Sequence, residues 1–247
     1  MAKKSAASKG FRRSAKKKPF LTTQEIIILV VIVAAILAAV VLFNLFYGNS
    51  YLKASDVKEN DVVSMVSSDL KTRYVKVADA NELEGFTRAN PYREVNVASN
   101  FEFTPDEPTE NIDTITLGGS FLEAAQLADT NSTQVQALSS STSTQRYDTT
   151  VQGHDAYVYG YTNSYYQKPQ GDDADADEPE TDEDGNPLPN VFSQAINLYV
   201  NAGDHTVTFH IYRSGEDDSF FLADDEIVDY VLGYANEAFT VYEEPET

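Results

Sequence analysis

The chain has 247 residues, no Cys, no Trp and a formal net charge of −21. Without Cys there are no disulfides, thiolate zinc sites, thiol nucleophiles or lipid-modified lipoprotein cysteines. The charge is divided: residues 1–25 hold eight Lys/Arg against Glu25 alone, whereas residues 48–247 hold ten basic residues against 38 acids, a net −28, which excludes nucleic acid as a partner of the main domain by repulsion from phosphate.

Residues 1–25 read as a basic tail, and residues 26–47 as a membrane span. Ile26 to Phe43 carries no polar side-chain atom. Twenty-two residues of helix at 1.5 Å each reach roughly 33 Å, matching a hydrocarbon core of about 30 Å. The Lys/Arg excess before the span places the N-terminus in the cytoplasm and the rest outside. The apolar run is longer than the 7–15 residues of a cleaved signal peptide. Retention as a single-pass signal anchor in the cell membrane is therefore expected, with the lipid bilayer as the first partner. A pilin-type leader is the competing reading. It would put Glu25 fifth after a cut between Phe20 and Leu21, but Phe20 stands where a small residue is needed.

Residues 48–90 read as a membrane-proximal helix and connector. Val62, Val66 and Leu70 recur every four residues, which predicts an amphipathic helix over 55–73 with Ser55 as its cap. Residues 91–242 form the expected extracytoplasmic domain. Within it, REVNVAS and NFEFTP between Tyr92 and Pro105 alternate as strands, as does DTITL at 113–117. FLEAAQL at 121–127 has helical spacing. The Ser/Thr-rich stretch 131–145 reads as a loop with one short element at 135–138.

The last hundred residues have the clearest pattern. Tyr147 to Val151, a turn at 152–155 and Ala156 to Tyr166 predict two strands. An acidic insertion, 167–190, separates them from a β-hairpin of Phe192–Val200 and His205–Arg213. Ile196, Leu198 and Val200 share one face with Val207, Phe209 and Ile211. Asn197, Tyr199, Thr206, Thr208, His210 and Tyr212 face the other way. A helix over 223–239 carries Ile227, Val228, Val231, Leu232, Ala235 and Phe239 on one side and is expected to dock on the apolar face.

The order GHDAYVYGY, insertion, SQAINLYV with TVTFHIY, then DEIVDYVLGYA resembles the second half of PsbP/Mog1-like domains. Phe101-Glu102-Phe103-Thr104-Pro105 is similar to their aromatic-x-aromatic-x-Pro strand, although the Trp often found after that Pro is absent. The resemblance covers residues 90–240. It implies an α+β fold, an α/β/α sandwich with helices packed on an antiparallel sheet, and an assembly or binding role.

Candidate chemistry is sparse. His205 and His210 are five apart on one strand and so point to opposite faces. His154 sits in a turn beside Asp155. No G-x-S-x-G, H-E-x-x-H or phosphate loop occurs. In the acidic insertion, Asp173, Asp175 and Asp177 alternate like the start of a calcium loop, without its Gly or its bidentate Glu. A solvated loop is the plain reading and weak calcium binding the alternative. Otherwise no cofactor is expected. Tyr157, Tyr159 and Tyr161 alternate on one strand face, and Tyr199 and Tyr212 can join them. They form either a platform for a ligand or a second packed layer.

The expected role is non-catalytic: a membrane-anchored binding or assembly-accessory protein with a protein or envelope-polymer partner. A cell-envelope hydrolase or transferase remains the alternative and calls for a deep polar cleft at His154 or His205. A pilin-like subunit calls for cleavage near Phe20.

Overall fold

A computed structural model describes residues 23–46, 51–68, 71–89, 101–108, 111–136, 141–143, 145–168 and 179–243. The chain divides into two compact units, Met1–Ser50 and Tyr51–Thr247. In the first, helix α1 spans Thr23–Phe46. It is long and apolar enough to cross a bilayer, and its apolar window, Gln24–Leu42, is not buried by the protein.

The second unit is mostly sheet. Strands β1 (Asp61–Ser68) and β2 (Lys71–Ala80) occupy the stretch in which a helix is expected over 55–73. A spacing of four is also a multiple of two, so Val62 and Val66 mark a strand face as well as a helix face. The β-branched Val62, Val63, Val66, Val75 and Val77 decide for the strand. Nor is this segment a connector. Val62, Val77 and Ala78 belong to the main core. These strands and the C-terminal β11 (Phe239–Val241) form a small sheet in the order β1-β2-β11.

The large sheet contains β3 (Phe86–Ala89), β4 (Phe101–Pro105), β5 (Ile112–Ser120), β6 (Ser141–Ser143), β7 (Tyr147–Val151), β8 (His154–Tyr165), β9 (Val191–Ala202) and β10 (His205–Gly215). Its order is β3-β4-β5-β10-β9-β8-β6, with β7 also on β8, and every pairing is antiparallel. The expected strand at 93–99 lies outside the described residues.

One face of this sheet is the core. The register aligns Phe101, Leu117, Phe209, Leu198 and Val158 in one continuous row across five strands. All five are at most 1% exposed, and each such side chain contributes about 1.5–3 kcal/mol by leaving water. Helix α3 (Ile227–Ala238) docks here through Ile227, Val231 and Ala235, on the side expected. The small sheet covers the rest of the same face. Its β1 backbone crosses β5 at Gly119, where an added Cβ would lie 2.9 Å from the Val63 carbonyl group. The expected α/β/α sandwich is therefore modified: one outer layer is shared by a helix and a second sheet.

Two boundaries differ from expectation. Helix α3 ends before Phe239, because Asn81 takes its last carbonyls. The Asn81 N–H donates to Ala238 O at 2.8 Å and its Nδ2 to Glu237 O at 3.1 Å. Phe239 then enters β11 and packs on Phe209, with ring centroids 5.7 Å apart. On the other face, helix α2 (Ala124–Gln136) runs well into the polar stretch expected to be a loop.

Gln152 joins the layers. It occupies the β7–β8 turn at φ 51°, followed by Gly153 at φ 86°, the left-handed pair that a two-residue hairpin demands. Its Nε2 donates to Phe239 O at 2.8 Å and its Oε1 accepts from Val241 N–H at 2.9 Å. One side chain thus imitates a strand partner for β11. Gln152→Ala should cost about 1–3 kcal/mol through these two bonds. Gln152→Asn suits the backbone but is too short to reach, so it should cost nearly as much in a urea titration.

Candidate functional site: a tyrosine-lined half of the sheet

The second face of the large sheet is polar and aromatic. Register places Tyr157 opposite Tyr199, Tyr159 opposite Asn197, and Tyr161 opposite Ala195. Across the next pairing, Tyr199 meets Thr208, Asn197 meets His210, and Ala195 meets Tyr212. All five expected tyrosines therefore share one face, but they divide into three environments.

Tyr157 and Tyr199 lie at the end covered by α2. Tyr199 packs with Ala124 and Ala128, and Leu127 and Tyr157 lie against that cluster. The Arg146 guanidinium stacks 4.9 Å above the Tyr157 ring. These two rings form a packed layer. Tyr159, in the middle, is fully buried. Tyr161 and Tyr212 flank Ala195 at the other end, with Tyr212 41% exposed.

This second half has more members than the five tyrosines. Asn163 and Tyr165 continue the parity of Tyr161 along β8, and Tyr165 is 40% exposed. Ser193 and Ala195 on β9 supply small side chains between the larger ones. On β5, Thr114 pairs with Tyr212. The alternation that reveals Tyr157, Tyr159 and Tyr161 also reaches Asn163 and Tyr165. Ser193, Ala195 and Thr114 give no sequence signal, because a small residue marks a site only through its neighbours.

Among the described residues, three buried polar atoms on this face have no hydrogen-bond partner: Tyr159 Oη, His210 Nδ1 and Thr114 Oγ1. They occupy two adjacent cross-strand rows. His210 sits edge-on to Tyr199 at 5.6 Å between ring centroids. Burial pushes its pKa down to about 4, so the imidazole is neutral near pH 7. Burial, followed by the neighbouring Tyr161 and Tyr159, raises the Tyr199 phenol. Burial, followed by Tyr212 and Tyr159, raises Tyr161. The face thus offers uncharged donors and acceptors at ordinary pH.

The other histidines lie elsewhere. His205 shares the core-face parity of Val207, pairs with Ala202 and holds Asp204 Oδ1 at 2.6 Å through Nδ1. His154 opens β8 opposite Val151. His205 and His210 therefore point to opposite faces, as their spacing requires. Asp173, Asp175 and Asp177 lie outside the described residues. Among the described residues, no cluster of three or more His, Asp or Glu is placed to hold a metal.

No protein-family model matches the chain, and no curated protein matches it. Solved structures with a similar fold include cyanobacterial PsbP from Synechocystis sp. PCC 6803, at 10% identity and TM-score 0.36, covering 75% of this chain and 95% of that one. The Saccharomyces cerevisiae Ran-binding protein Mog1p is similar at 14% identity and TM-score 0.36, over 73% and 96%. PA94 from Pseudomonas aeruginosa is similar at 10% identity and TM-score 0.28, over 75% and 99%. The likeness is of fold, it is weak, and it is to the PsbP/Mog1-like group.

Proposed function

We propose that this chain is a single-pass, membrane-anchored binding protein, with its basic tail in the cytoplasm and residues 51–247 outside, and that it captures its partner non-catalytically on the tyrosine-lined half-face. The observation that carries this reading is the set of unpaired buried atoms, Tyr159 Oη, His210 Nδ1 and Thr114 Oγ1, beside partly exposed Tyr161 and Tyr212. A buried polar atom without a partner is costly and calls for water or a ligand. Helix α1 supports the anchor by its length and composition. The Lys/Arg excess before it supports the orientation. The placement of His154 and His205 away from this face favours capture over hydrolysis or transfer.

Two measurements test this reading. Protease added outside sealed cells should digest residues 51–247 of the full-length chain, and digestion only after lysis would reverse the orientation. A photo-crosslinking phenylalanine analogue in place of Tyr212 should capture envelope material, whereas the same analogue in place of His154 should not. Equal capture at both positions would remove the half-face from the binding role.

A further inference from the structure

The half-face carries no formal charge in a domain that is strongly acidic. Tyr161, Asn163, Tyr165, Ser193, Ala195 and Tyr212 line it across β8, β9 and β10. Residues 48–247 nevertheless hold 38 acids. Glu102 stands at the outer edge on β4, opposite Thr116, which in turn pairs with His210. No Lys or Arg on these three strands' outward positions is available to hold a phosphate or a uronate. Asp155, at the opposite end of β8 beyond Tyr157, is the one carboxylate at an outward position of these strands, and none stands on this half-face to hold a basic peptide.

We infer that the ligand of this half-face is a neutral glycan, its sugar rings lying on Tyr161, Tyr165 and Tyr212 and its hydroxyls meeting Tyr159, Thr114 and His210. This inference rests on the binding reading above and names its ligand. A tyrosine presents a flat apolar ring with a wet polar tip, and a pyranose presents a C–H face with hydroxyls at its rim. A hydroxyl both donates and accepts, so one chemical group can satisfy a phenol, a threonine hydroxyl and an imidazole nitrogen. An extended peptide normally gains affinity by pairing with a free strand edge. Here β9 is paired on both sides, to β8 and to β10, along the whole half-face. Main-chain pairing is on offer only at the three-residue edge strand β6, beside the face rather than on it, whereas ring stacking is available across it.

The test uses the full-length chain in lipid nanodiscs and a panel of neutral hexasaccharides built from glucose, galactose, mannose or N-acetylglucosamine. Polygalacturonate and oligolysine serve as the anionic and cationic probes. Titration calorimetry should detect at least one neutral saccharide and neither charged probe. The protein contains 15 Tyr and no Trp, so its intrinsic emission comes from tyrosine and should change on binding. Tyr212→Ser and Tyr165→Ser, both at exposed positions, should each weaken binding by on the order of tenfold with the thermal midpoint unchanged. A site built to bond hydroxyls should also reject the matching deoxy-sugar. Silence across the neutral panel, preference for a charged probe, or indifference to Tyr212→Ser overturns the glycan assignment. If crosslinking from position 212 persists while the panel is silent, the binding face stands and only the ligand class fails. Loss of both removes the face as well.

Discussion

Asp61→Ala should destabilise the domain by about 3 kcal/mol, the lower end of the cost of breaking a buried ion pair. The Asp61 side chain is 3% exposed and reaches Lys76 Nζ at 3.1 Å. It also accepts the Lys58 N–H at 2.6 Å. Lys76 keeps Asp79 at 2.8 Å, which is why the lower end applies. The ammonium also lies 4.7 Å above the Tyr242 ring, so one cluster ties β1, β2 and the C-terminal segment together. Burial pulls the Lys76 pKa down, but the bonds to Asp79 and Asp61 and their charges outweigh it and leave the value above 10.5. The sign follows. Lys76 stabilises the fold fully below the unfolded value of 10.5 and loses that contribution as pH rises through the raised folded value. Urea midpoints of Asp61→Ala and the parent should therefore differ near pH 7 and converge in strong alkali. A change of less than 0.5 kcal/mol near pH 7, the range of an ordinary surface substitution, would show that the pair adds nothing to the fold.

Most of the large sheet is legible in the sequence, because its strands alternate and its turns carry glycine at positive φ. The β9–β10 hairpin is the clearest case: Ile196, Leu198, Val200, Val207, Phe209 and Ile211 are all fully buried on one face. The small sheet is not legible for two reasons. A repeat of four satisfies both periods, and the pairing of β11 with β2 joins Val241 to Ala78 across most of the domain. Local pattern carries no information about a contact of that sequence separation. The same limit governs the site. Alternation places five tyrosines on one face but does not reveal that α2 takes Tyr157 and Tyr199 into a packed layer. That division depends on where Ala124 and Ala128 land, and small residues on a polar helix advertise no partner. His210 is legible as an outward residue, whereas its burial depends on neighbours on β5 and β9.

His210→Phe should remove a large part of the acid sensitivity of the domain. The folded pKa is about 4 against 6.5 for the free side chain, because burial disfavours the imidazolium. The unfolded chain then binds more protons over that interval, so stability falls as pH drops from 6.5 and the loss is complete below about 4. The shift corresponds to about 3 kcal/mol at one pKa unit per 1.36 kcal/mol. Phenylalanine retains an edge-on ring against Tyr199 and cannot titrate. Urea unfolding at pH 7.5 and pH 4 should show the parent losing about 3 kcal/mol more than the variant over that interval. Carboxylates contribute equally to both proteins and cancel in the comparison. Glu102, two strands away in the same row, is the nearest acid on this face by register, and Glu102→Gln would expose any help it gives to the imidazolium. Parallel acid slopes for parent and His210→Phe would mean that the imidazole already finds water or a partner in the folded state. Nδ1 would then leave the set of unpaired atoms, and the case for a ligand would rest on Tyr159 and Thr114.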